Sequence, residues 1–306
     1  MKRRVAIIGT GWVGSSVAIS TLHLGVADEL LLSDVREAVA EGEAMDLAHG
    51  ASFYPPALVR TAAIEDMVDA DVIVIAAGRG GRPGESRLDL LRENAVLIGD
   101  IGKRLTRARG TVVVVSNPVD VLTQRMTEVS GLPAARVIGT GTMLDTARLK
   151  QIIGHVIHVD PHSIHAHVVG EHGESEVVLW TAARVGGVPL RTWAGWDQQR
   201  EAAVADEVRR AAYEIIRRKG ATNHAIGLVT ADLLRCILRD ERRVLTVSRK
   251  QEGALGLMDV ALSLPTVVGT LGAAEVLEPE ISADERQRLY QSADVLRKAA
   301  VGASLP

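Results

Sequence analysis

The 306-residue chain has one cysteine, few aromatic residues and no long hydrophobic run, and each shortage excludes a class of protein. Cys236 alone cannot form an intramolecular disulfide or a cysteine-rich metal site, which is typical of a reducing compartment. No apolar stretch approaches the roughly 18 residues of a membrane span. The apolar N-terminal run resembles a signal peptide only briefly, because glycines interrupt it. We therefore expect a soluble, cytoplasmic protein without a bound metal.

Charge and aromatic content argue against a nucleic-acid or membrane partner. The 35 basic and 38 acidic residues leave a net charge of −3, and aromatic residues make up only 3% of the chain. Nucleic-acid-binding proteins typically carry clustered basic residues on one face. Hydrophobic residues, by contrast, make up 47% of the chain, enough to fill the core of one large domain or two smaller ones.

Short apolar runs alternate with helical patterns in the first half of the chain, which is typical of βαβ units. The predicted strands are residues 5–8, 30–33, 58–62, 72–77, 112–115 and 137–138, and the predicted helices are 12–25, 36–48, 86–107 and 119–129. Because the strands are apolar along their whole length, we expect both of their faces to be buried. The pattern predicts a Rossmann doubly wound parallel sheet in residues 1–140, within an α/β protein.

The alternation changes after residue 139, where the pattern predicts a second, α+β domain over residues 141–306. Short strands separated by glycine turns follow a helix at 143–153, and long amphipathic helices follow at 198–219 and 222–239. Two more strand segments, RRVLTVSRK and ALSLPTVVGTLGAAEVL, precede a last helix at 283–301. Ser282 and Glu285 have the spacing of a capping box at the start of that helix.

The sequence GTGWVG, residues 9–14, follows the first strand and opens a helix, as in a dinucleotide-binding turn. Its first glycine allows the turn, the second lets the backbone approach a pyrophosphate, and the third permits close packing of helix on strand. Asp34 ends the second strand, where a carboxylate would accept hydrogen bonds from ribose hydroxyls and repel a 2′-phosphate. The alternative is a plain turn, with Asp34 only capping the next helix. The pattern favours NAD over NADP.

Four polar residues are candidates for chemistry or substrate binding. His172 lies in VVGEHGES, where an imidazole could exchange a proton, although a structural histidine is the alternative. Asp145 and Arg148 share a helix face, so one could orient a histidine while the other binds a carboxylate. Thr142 and Asp145 also have capping-box spacing, so Asp145 could instead only begin the helix. Asn117 ends the fifth strand, where doubly wound sheets bind ligands, but Asn-Pro is also an ordinary turn signal.

Seven motifs occur in an order that spans essentially the whole chain. In GTGWVG, PGESRLDLLRENA, SNPVDVLT, GTGTMLDTAR, VVGEHGES, KGATNHAIG and VLTVS, the sequence resembles the family of NAD-dependent L-lactate and L-malate dehydrogenases. The resemblance implies that His172 exchanges the substrate hydroxyl proton while Asp145 orients it. Arg148 would bind the substrate carboxylate, Asn117 would bond near the reacting oxygen, and Arg87 would polarise the carbonyl from a mobile loop.

The resemblance also implies a set of cofactor-contacting positions and a homo-oligomer. The positions predicted to contact NAD are Gly9, Gly11, Trp12, Val13, Gly14, Asp34, Ala77, Gly78, Val115, Asn117 and Thr140. We expect a homotetramer or a dimer that acts on a small 2-oxo or 2-hydroxy acid. Lys150 and His165 match positions where some bacterial relatives bind fructose 1,6-bisphosphate, although a solvated lysine and a strand histidine are the alternative.

One position departs from the family pattern and leaves the substrate open. Lactate enzymes of the family usually carry glutamine six residues before the loop arginine and malate enzymes arginine, whereas this chain has Gly81. Arg82 or Arg79 could bind a second substrate carboxylate if the loop shifts, since a buried, unpaired carboxylate is costly. Thr222 and the glutamate of GEHG favour lactate. The sequence predicts an L-lactate dehydrogenase, with three alternatives: L-malate dehydrogenase, a broad-specificity L-2-hydroxyacid dehydrogenase, and a catalytically silent NAD-binding protein.

Overall fold

The computed structural model describes residues 2–80 and 87–303. Its strands are β1 (Arg4–Ile8), β2 (Glu29–Ser33), β3 (Leu58–Thr61), β4 (Val72–Ile75), β5 (Thr111–Val114), β6 (Val137–Gly139), β7 (Ile164–His165), β8 (Val168–Val169), β9 (Val177–Val178), β10 (Arg184–Val185), β11 (Val188–Pro189), β12 (Arg243–Glu252), β13 (Met258–Gly269) and β14 (Gly272–Val276). Its α-helices are α1 (Trp12–Leu24), α2 (Glu37–His49), α3 (Arg87–Arg104), α4 (Val119–Ser130), α5 (Met143–Ile157), α6 (Gln198–Lys219), α7 (His224–Leu238) and α8 (Ala283–Ala303). Within these described ranges, none of the helices could cross a membrane.

The largest sheet in the described part of the chain has nine strands, in the order β14-β13-β12-β6-β5-β4-β1-β2-β3. The six strands from β6 to β3 in this order are parallel, and the strand order reverses between β1 and β4, where Val5 pairs with Val72. Ligands of doubly wound sheets bind at the carboxyl ends of strands near such a reversal. The predicted Rossmann sheet is confirmed.

Strands from the second half of the chain extend this sheet. β12 pairs antiparallel with β6 through Ser248 and Gly139, and β13 and β14 follow as an antiparallel meander. The chain after residue 141 therefore contributes three strands to the main sheet as well as the helices and short strands outside it. The domain boundary at residue 140 stays a prediction.

Alternate residues of the parallel strands pack against two different helix layers. In β1, Ala6 and Ile8 face a core formed with α3, α4 and α8, whereas Val5 and Ile7 face a core formed with α1, α2 and α7. All four side chains are at most 3% exposed. Strands β1, β2, β4, β5 and β6 are buried on both faces, as their continuous hydrophobicity predicts. The prediction is wrong for β3, which lies at the edge of the sheet and has exposed or half-buried side chains throughout.

The remaining elements form a smaller unit beside the carboxyl edge of the sheet. Helices α5 and α6 pack with the three-stranded sheet β11-β10-β7 around Leu149, Ile153 and Trp196. The predicted capping box is confirmed at α8, where the Ser282 N–H donates to Glu285 Oε2 (2.8 Å) and the Glu285 N–H donates to Ser282 Oγ (3.2 Å). Glu285 also accepts the Thr181 N–H (2.9 Å), so this helix start fixes the end of the β9 segment.

Candidate active site

The glycine-rich turn between β1 and α1 meets the needs of a bound pyrophosphate. Gly9 has φ +98°, and a Cβ there would lie 2.4 Å from Ala77 N. A Cβ on Gly14 would lie 1.9 Å from the Gly9 carbonyl oxygen, so neither glycine can carry a side chain. A Cβ on Gly11, in contrast, would meet no protein atom within 4 Å. The fold itself does not require a glycine at position 11, but a ligand lying close to the backbone does. The residues present therefore fit a dinucleotide.

The Asp34 carboxylate lies against this turn. Its Oδ2 accepts the Thr10 N–H (2.9 Å) and the Thr10 hydroxyl (3.3 Å), while Oδ1 accepts the Arg36 N–H (3.0 Å). Burial acts to raise the pKa of Asp34, but the two backbone N–H groups and the Thr10 hydroxyl lower it below its usual value. The carboxylate is therefore charged at neutral pH. Asp34 both orders the segment before α2 and places a negative charge beside the glycine turn.

This placement predicts the coenzyme preference of a charge-removing variant. Asp34→Asn keeps an acceptor for the Thr10 N–H and removes the repulsion of a 2′-phosphate, so the ratio of kcat/KM for NADPH to that for NADH should rise roughly tenfold to a hundredfold. Steady-state kinetics with both coenzymes measure this ratio. Asp46→Asn, on the exposed face of α2, is the control and should leave it unchanged. An unchanged ratio in Asp34→Asn would contradict the assigned position of the ribose.

The ends of β4 and β5 bring several of the predicted cofactor positions together. The Ser116 hydroxyl donates to the Ala77 carbonyl (2.5 Å), and Gly78 lies against the Ser116 side chain. Asn94 is a residue that the motif reading missed. It is 3% exposed, its Oδ1 accepts the Arg79 N–H (3.1 Å), and its Nδ2 donates to the carbonyls of Arg79 (3.2 Å) and Asn117 (3.1 Å). Asn94 thus ties the segment after β4 to the one after β5.

The other predicted cofactor positions also lie at this edge of the sheet. Trp12 and Val13 begin α1, with Trp12 66% exposed, and Val115 and Thr140 directly follow β5 and β6. The Thr140 N–H donates to the Val114 carbonyl (3.0 Å), which continues the parallel ladder past β6. Contact of each of these residues with NAD stays a prediction.

His172, Asp145 and Arg148 form one hydrogen-bonded cluster. His172 lies in the turn between β8 and β9, and its Nδ1 is 2.5 Å from Asp145 Oδ2. The other oxygen of Asp145 accepts a hydrogen bond from Arg148 Nη1 (2.8 Å). The side chains of Asp145 and Arg148 are 4% and 11% exposed, whereas that of His172 is 26% exposed. Since Nδ1 is bound to Asp145, Nε2 is the ring nitrogen left for proton exchange.

The charges of this cluster keep the imidazole protonated at neutral pH. Burial alone would lower the pKa of His172, but the charge and hydrogen bond of Asp145, followed by the charge of Asp120, raise it to about 9. Burial acts to raise the pKa of Asp145, whereas His172 and Arg148 hold it below its usual value. A protonated imidazole is the form that can donate a proton to a carbonyl oxygen.

Helix α5 is fixed to the strand that leads into the His172 turn. The Thr142 hydroxyl donates to the Val168 carbonyl (2.6 Å), and the Val168 N–H donates to the Thr146 hydroxyl (3.0 Å). Thr142 therefore makes no side-chain cap at the start of α5. The capping-box interpretation of Thr142 and Asp145 is wrong, because both side chains are engaged in tertiary contacts.

Two buried carboxyl groups near His172 were not singled out from the sequence. Asp120, in the first turn of α4, is 2% exposed and accepts the His172 N–H at Oδ2 (2.7 Å). Glu176 is 8% exposed, and burial, followed by the charge of Asp145, raises its pKa to about 8. Asp120 belongs to the motif SNPVDVLT, but an acidic residue at the start of a helix is usually explained by its favourable interaction with the helix dipole.

The residues predicted to select the substrate are described only in part. Gly81 and Arg82 lie outside the described residues, and Arg87 begins α3 with a side chain that is also outside them. Arg79 Nε donates to Glu93 Oε2 (2.5 Å), and the Arg79 side chain is 23% exposed. Thr222 is half-buried in the link between α6 and α7, next to Asn223, which donates to Ser16 Oγ on α1 (2.9 Å).

The predicted effector positions lie away from this cluster, on α5 and β7. Burial, and then the charge of Arg243, lower the pKa of Lys150. Burial, followed by the charges of Lys150 and His165, lowers the pKa of His167 to about 4. The three side chains are therefore close enough to interact, and His165 is exposed. Binding of a phosphate group there stays a prediction. Within 2–80 and 87–303 we find no cluster of three metal-ligating side chains.

Comparison with known proteins gives matches over nearly the whole chain. The model of the lactate/malate dehydrogenase NAD binding domain matches residues 3–139, and that of the lactate/malate dehydrogenase alpha/beta C-terminal domain matches residues 142–302. L-lactate dehydrogenases of Synechococcus sp. (strain JA-3-3Ab) and Thermus aquaticus are both 43% identical, over 96% and 97% of this chain and 97% and 98% of theirs. The crystal structure of a minor L-lactate dehydrogenase from Enterococcus mundtii superposes with a TM-score of 0.96 at 39% identity, covering 100% of this chain and 99% of that one.

Proposed function

The chain belongs to the lactate/malate dehydrogenase family of NAD-dependent oxidoreductases, and from this we propose that it is an L-lactate dehydrogenase, interconverting L-lactate and pyruvate. The observation that carries the proposal is the cluster in which Asp145 binds both His172 and Arg148. In this cluster one buried aspartate holds both a proton donor, His172, and a group that can bind a carboxylate, Arg148. That pairing suits a substrate whose reacting oxygen is next to a carboxylate.

The proton transfer falls to His172. In pyruvate reduction, Nε2 gives its proton to the carbonyl oxygen as negative charge develops there, and in lactate oxidation it takes the hydroxyl proton. Asp145 holds the imidazole through Nδ1 and stabilises its charged form, as an aspartate does in other acid–base pairs. NAD, which the turn at residues 9–14 and Asp34 would hold, supplies the hydride acceptor and donor when bound.

Substrate binding falls to Arg148, Asn117 and Arg87. Arg148 binds the substrate carboxylate with the guanidinium nitrogens that Asp145 does not use, and a guanidinium can bind a carboxylate bidentately. Asn117, whose Oδ1 accepts the Val119 N–H (3.2 Å), has its amide N–H groups left to donate near the reacting oxygen. Arg87 adds positive charge where the oxyanion develops. These three roles rest on the family's motifs at these positions.

Pyruvate is favoured over oxaloacetate by the state of Arg79. An oxaloacetate site must pair a second carboxylate, since one left buried and unpaired costs several kcal/mol. Arg79 pairs with Glu93, so binding that carboxylate would require this ion pair to break, and Arg82 lies outside the described residues. A pyruvate site needs no further cation.

The test is the ratio of kcat/KM for pyruvate to that for oxaloacetate, with NADH, in the wild type, Gly81→Gln and Arg82→Ala. We expect a preference for pyruvate that survives Arg82→Ala and rises in Gly81→Gln. A preference of about a thousandfold for oxaloacetate, lost in Arg82→Ala, would overturn the proposal in favour of a malate dehydrogenase. Failure to oxidise NADH with any 2-oxo acid would instead indicate a silent NAD-binding protein.

We also propose a cytoplasmic homo-oligomer, a tetramer or a dimer. Large apolar side chains are exposed on neighbouring elements of the single chain, among them Phe53 (86%), Met45 (61%) and Leu58 (49%). Apolar surface of this kind commonly marks an interface between subunits. The buried free thiol of Cys236 is compatible with a reducing compartment.

A further inference from the structure

The Asp120 carboxylate is buried under the His172 turn with its hydrogen bonding incomplete. Oδ2 accepts the His172 N–H (2.7 Å), but Oδ1 has no hydrogen-bond partner among the described residues. The buried Ser248 hydroxyl lies close enough to Asp120 to lower its pKa, and it has no other hydrogen-bond partner among the described residues. Burying a carboxylate is unfavourable unless charge or hydrogen bonds compensate it. An uncharged side chain could accept the His172 N–H equally well, so the hydrogen bond alone does not explain a carboxylate at position 120.

The charge that compensates Asp120 is the imidazolium of His172. Burial raises the pKa of Asp120 to about 6, against the opposing effects of Ser248, the His172 N–H and the His172 charge. Between about pH 6 and pH 9, Asp120 is therefore ionised while His172 is protonated. The other titratable or charged groups that face this pair are Asp145 and Arg148 of α5 and Glu171 and Glu176 of the turn. Glu176, whose pKa is raised to about 8, is mostly neutral in the lower part of this range.

The position of Asp120 links two parts of the site. It lies three residues after Asn117, at the start of α4, whereas His172 lies in the β8–β9 turn of the second half of the chain. The hydrogen bond from the His172 N–H thus holds the proton donor at a fixed place relative to the segment that carries Asn117. No hydrogen bond joins the two side chains directly, so the effect on the imidazole ring is electrostatic.

We propose that Asp120 is a positioning residue for proton transfer, whose buried carboxylate fixes the His172 turn to the start of α4 and places a negative charge beside that turn. The inference rests on the proposed function for its catalytic consequence. Its electrostatic part does not, because the protonation of His172 can be measured without a substrate.

The test compares Asp120→Asn with the wild type by NMR titration of the His172 imidazole, assigned from its absence in His172→Asn. Asparagine keeps an acceptor for the His172 N–H and removes only the charge. The His172 pKa should fall by roughly 0.5 to 1 unit, and the pH above which kcat/KM for pyruvate declines should fall equally. Asp120→Glu, which restores the charge, should return the titration towards the wild type. Asp100→Asn, an exposed carboxylate of α3, is the matched control and should shift nothing.

An unchanged His172 titration in folded Asp120→Asn would overturn the inference. If that variant does not fold, the same coupling is measured from the other side: the Asp120 carboxyl pKa should rise in His172→Asn, because coupling between two sites is reciprocal. No rise would be equally decisive against it. If the wild type reduces no 2-oxo acid, the proposed function fails, while both titrations still decide the electrostatic link.

Discussion

Replacing His172 by asparagine is expected to lower kcat/KM for pyruvate by about 10³- to 10⁴-fold, the upper part of the range for loss of a general acid. Asparagine is close to imidazole in size and can still hydrogen-bond to Asp145, but it cannot give a proton to the carbonyl oxygen. The loss should appear in both directions of the reaction, since the same nitrogen takes the proton in lactate oxidation. Steady-state rates with NADH and pyruvate, and with NAD and lactate, measure it.

The control for this variant is His162→Asn. His162 is a highly exposed histidine whose ring hydrogen-bonds to Asp160, so its replacement should leave kcat/KM unchanged. Binding of NADH, followed by its fluorescence, should be unaffected in both variants. The glycine turn and Asp34, which would hold the coenzyme, make no hydrogen bond to either histidine in the described part of the chain. Loss of less than tenfold in His172→Asn would place the proton donor elsewhere.

The pKa of His172 also sets opposite pH dependences for the two directions. Pyruvate reduction needs the protonated imidazole, so its kcat/KM should be level at neutral pH and decline above about pH 9. Lactate oxidation needs the neutral form and should instead gain with rising pH up to the same value. Measured as kcat/KM against pH, the fall for pyruvate reduction and the rise for lactate oxidation should have the same midpoint, because both follow the titration of His172.

The parallel half of the fold could be predicted from the hydrophobic pattern because its strands, apart from the edge strand β3, are apolar on both faces. Predicted strands 5–8 and 112–115 lie within one residue of the observed β1 and β5, and predicted helix 198–219 coincides with α6. The addition of β12 to the edge of β6 was not predictable in the same way. The pairing of Ser248 with Gly139 joins segments distant in sequence, and periodicity reports burial, not the identity of a neighbouring strand.

The site shows a similar division between local and tertiary information. The glycine turn and Asp34 were predictable because their roles depend on spacing along a single βαβ unit. Local spacing misled at Thr142, whose hydroxyl bonds to Val168 and not to its own helix. Asp120 and Asn94 hydrogen-bond to backbone groups that are distant in sequence. Every residue type offers the same backbone groups, so the sequence does not indicate which residue is the partner.

Replacing Arg148 by lysine should lower kcat/KM for pyruvate by about a hundredfold to a thousandfold, although the charge is kept. Arg148 Nη1 binds Asp145 (2.8 Å), and its remaining nitrogens, which have no hydrogen-bond partner among the described residues, would bind the substrate carboxylate. A lysine ammonium is a compact point charge and cannot serve both partners in that geometry. Most of the loss should appear as a raised KM, since the carboxylate is bound in the ground state as well as the transition state.

A carboxylate-free substrate separates this role from a structural one. The rate with a 2-oxo aldehyde, which keeps the reacting carbonyl but lacks the carboxylate, should fall by much less than the rate with pyruvate. If Arg148 served only to hold Asp145 and His172 in place, both substrates would lose activity to the same extent, and the pH profile would move with them. Arg210→Lys, an exposed α6 residue paired with Asp206 (3.0 Å), is the matched control and should alter neither rate. A selective loss with pyruvate would therefore assign the carboxylate to Arg148 and leave proton transfer to the His172–Asp145 pair.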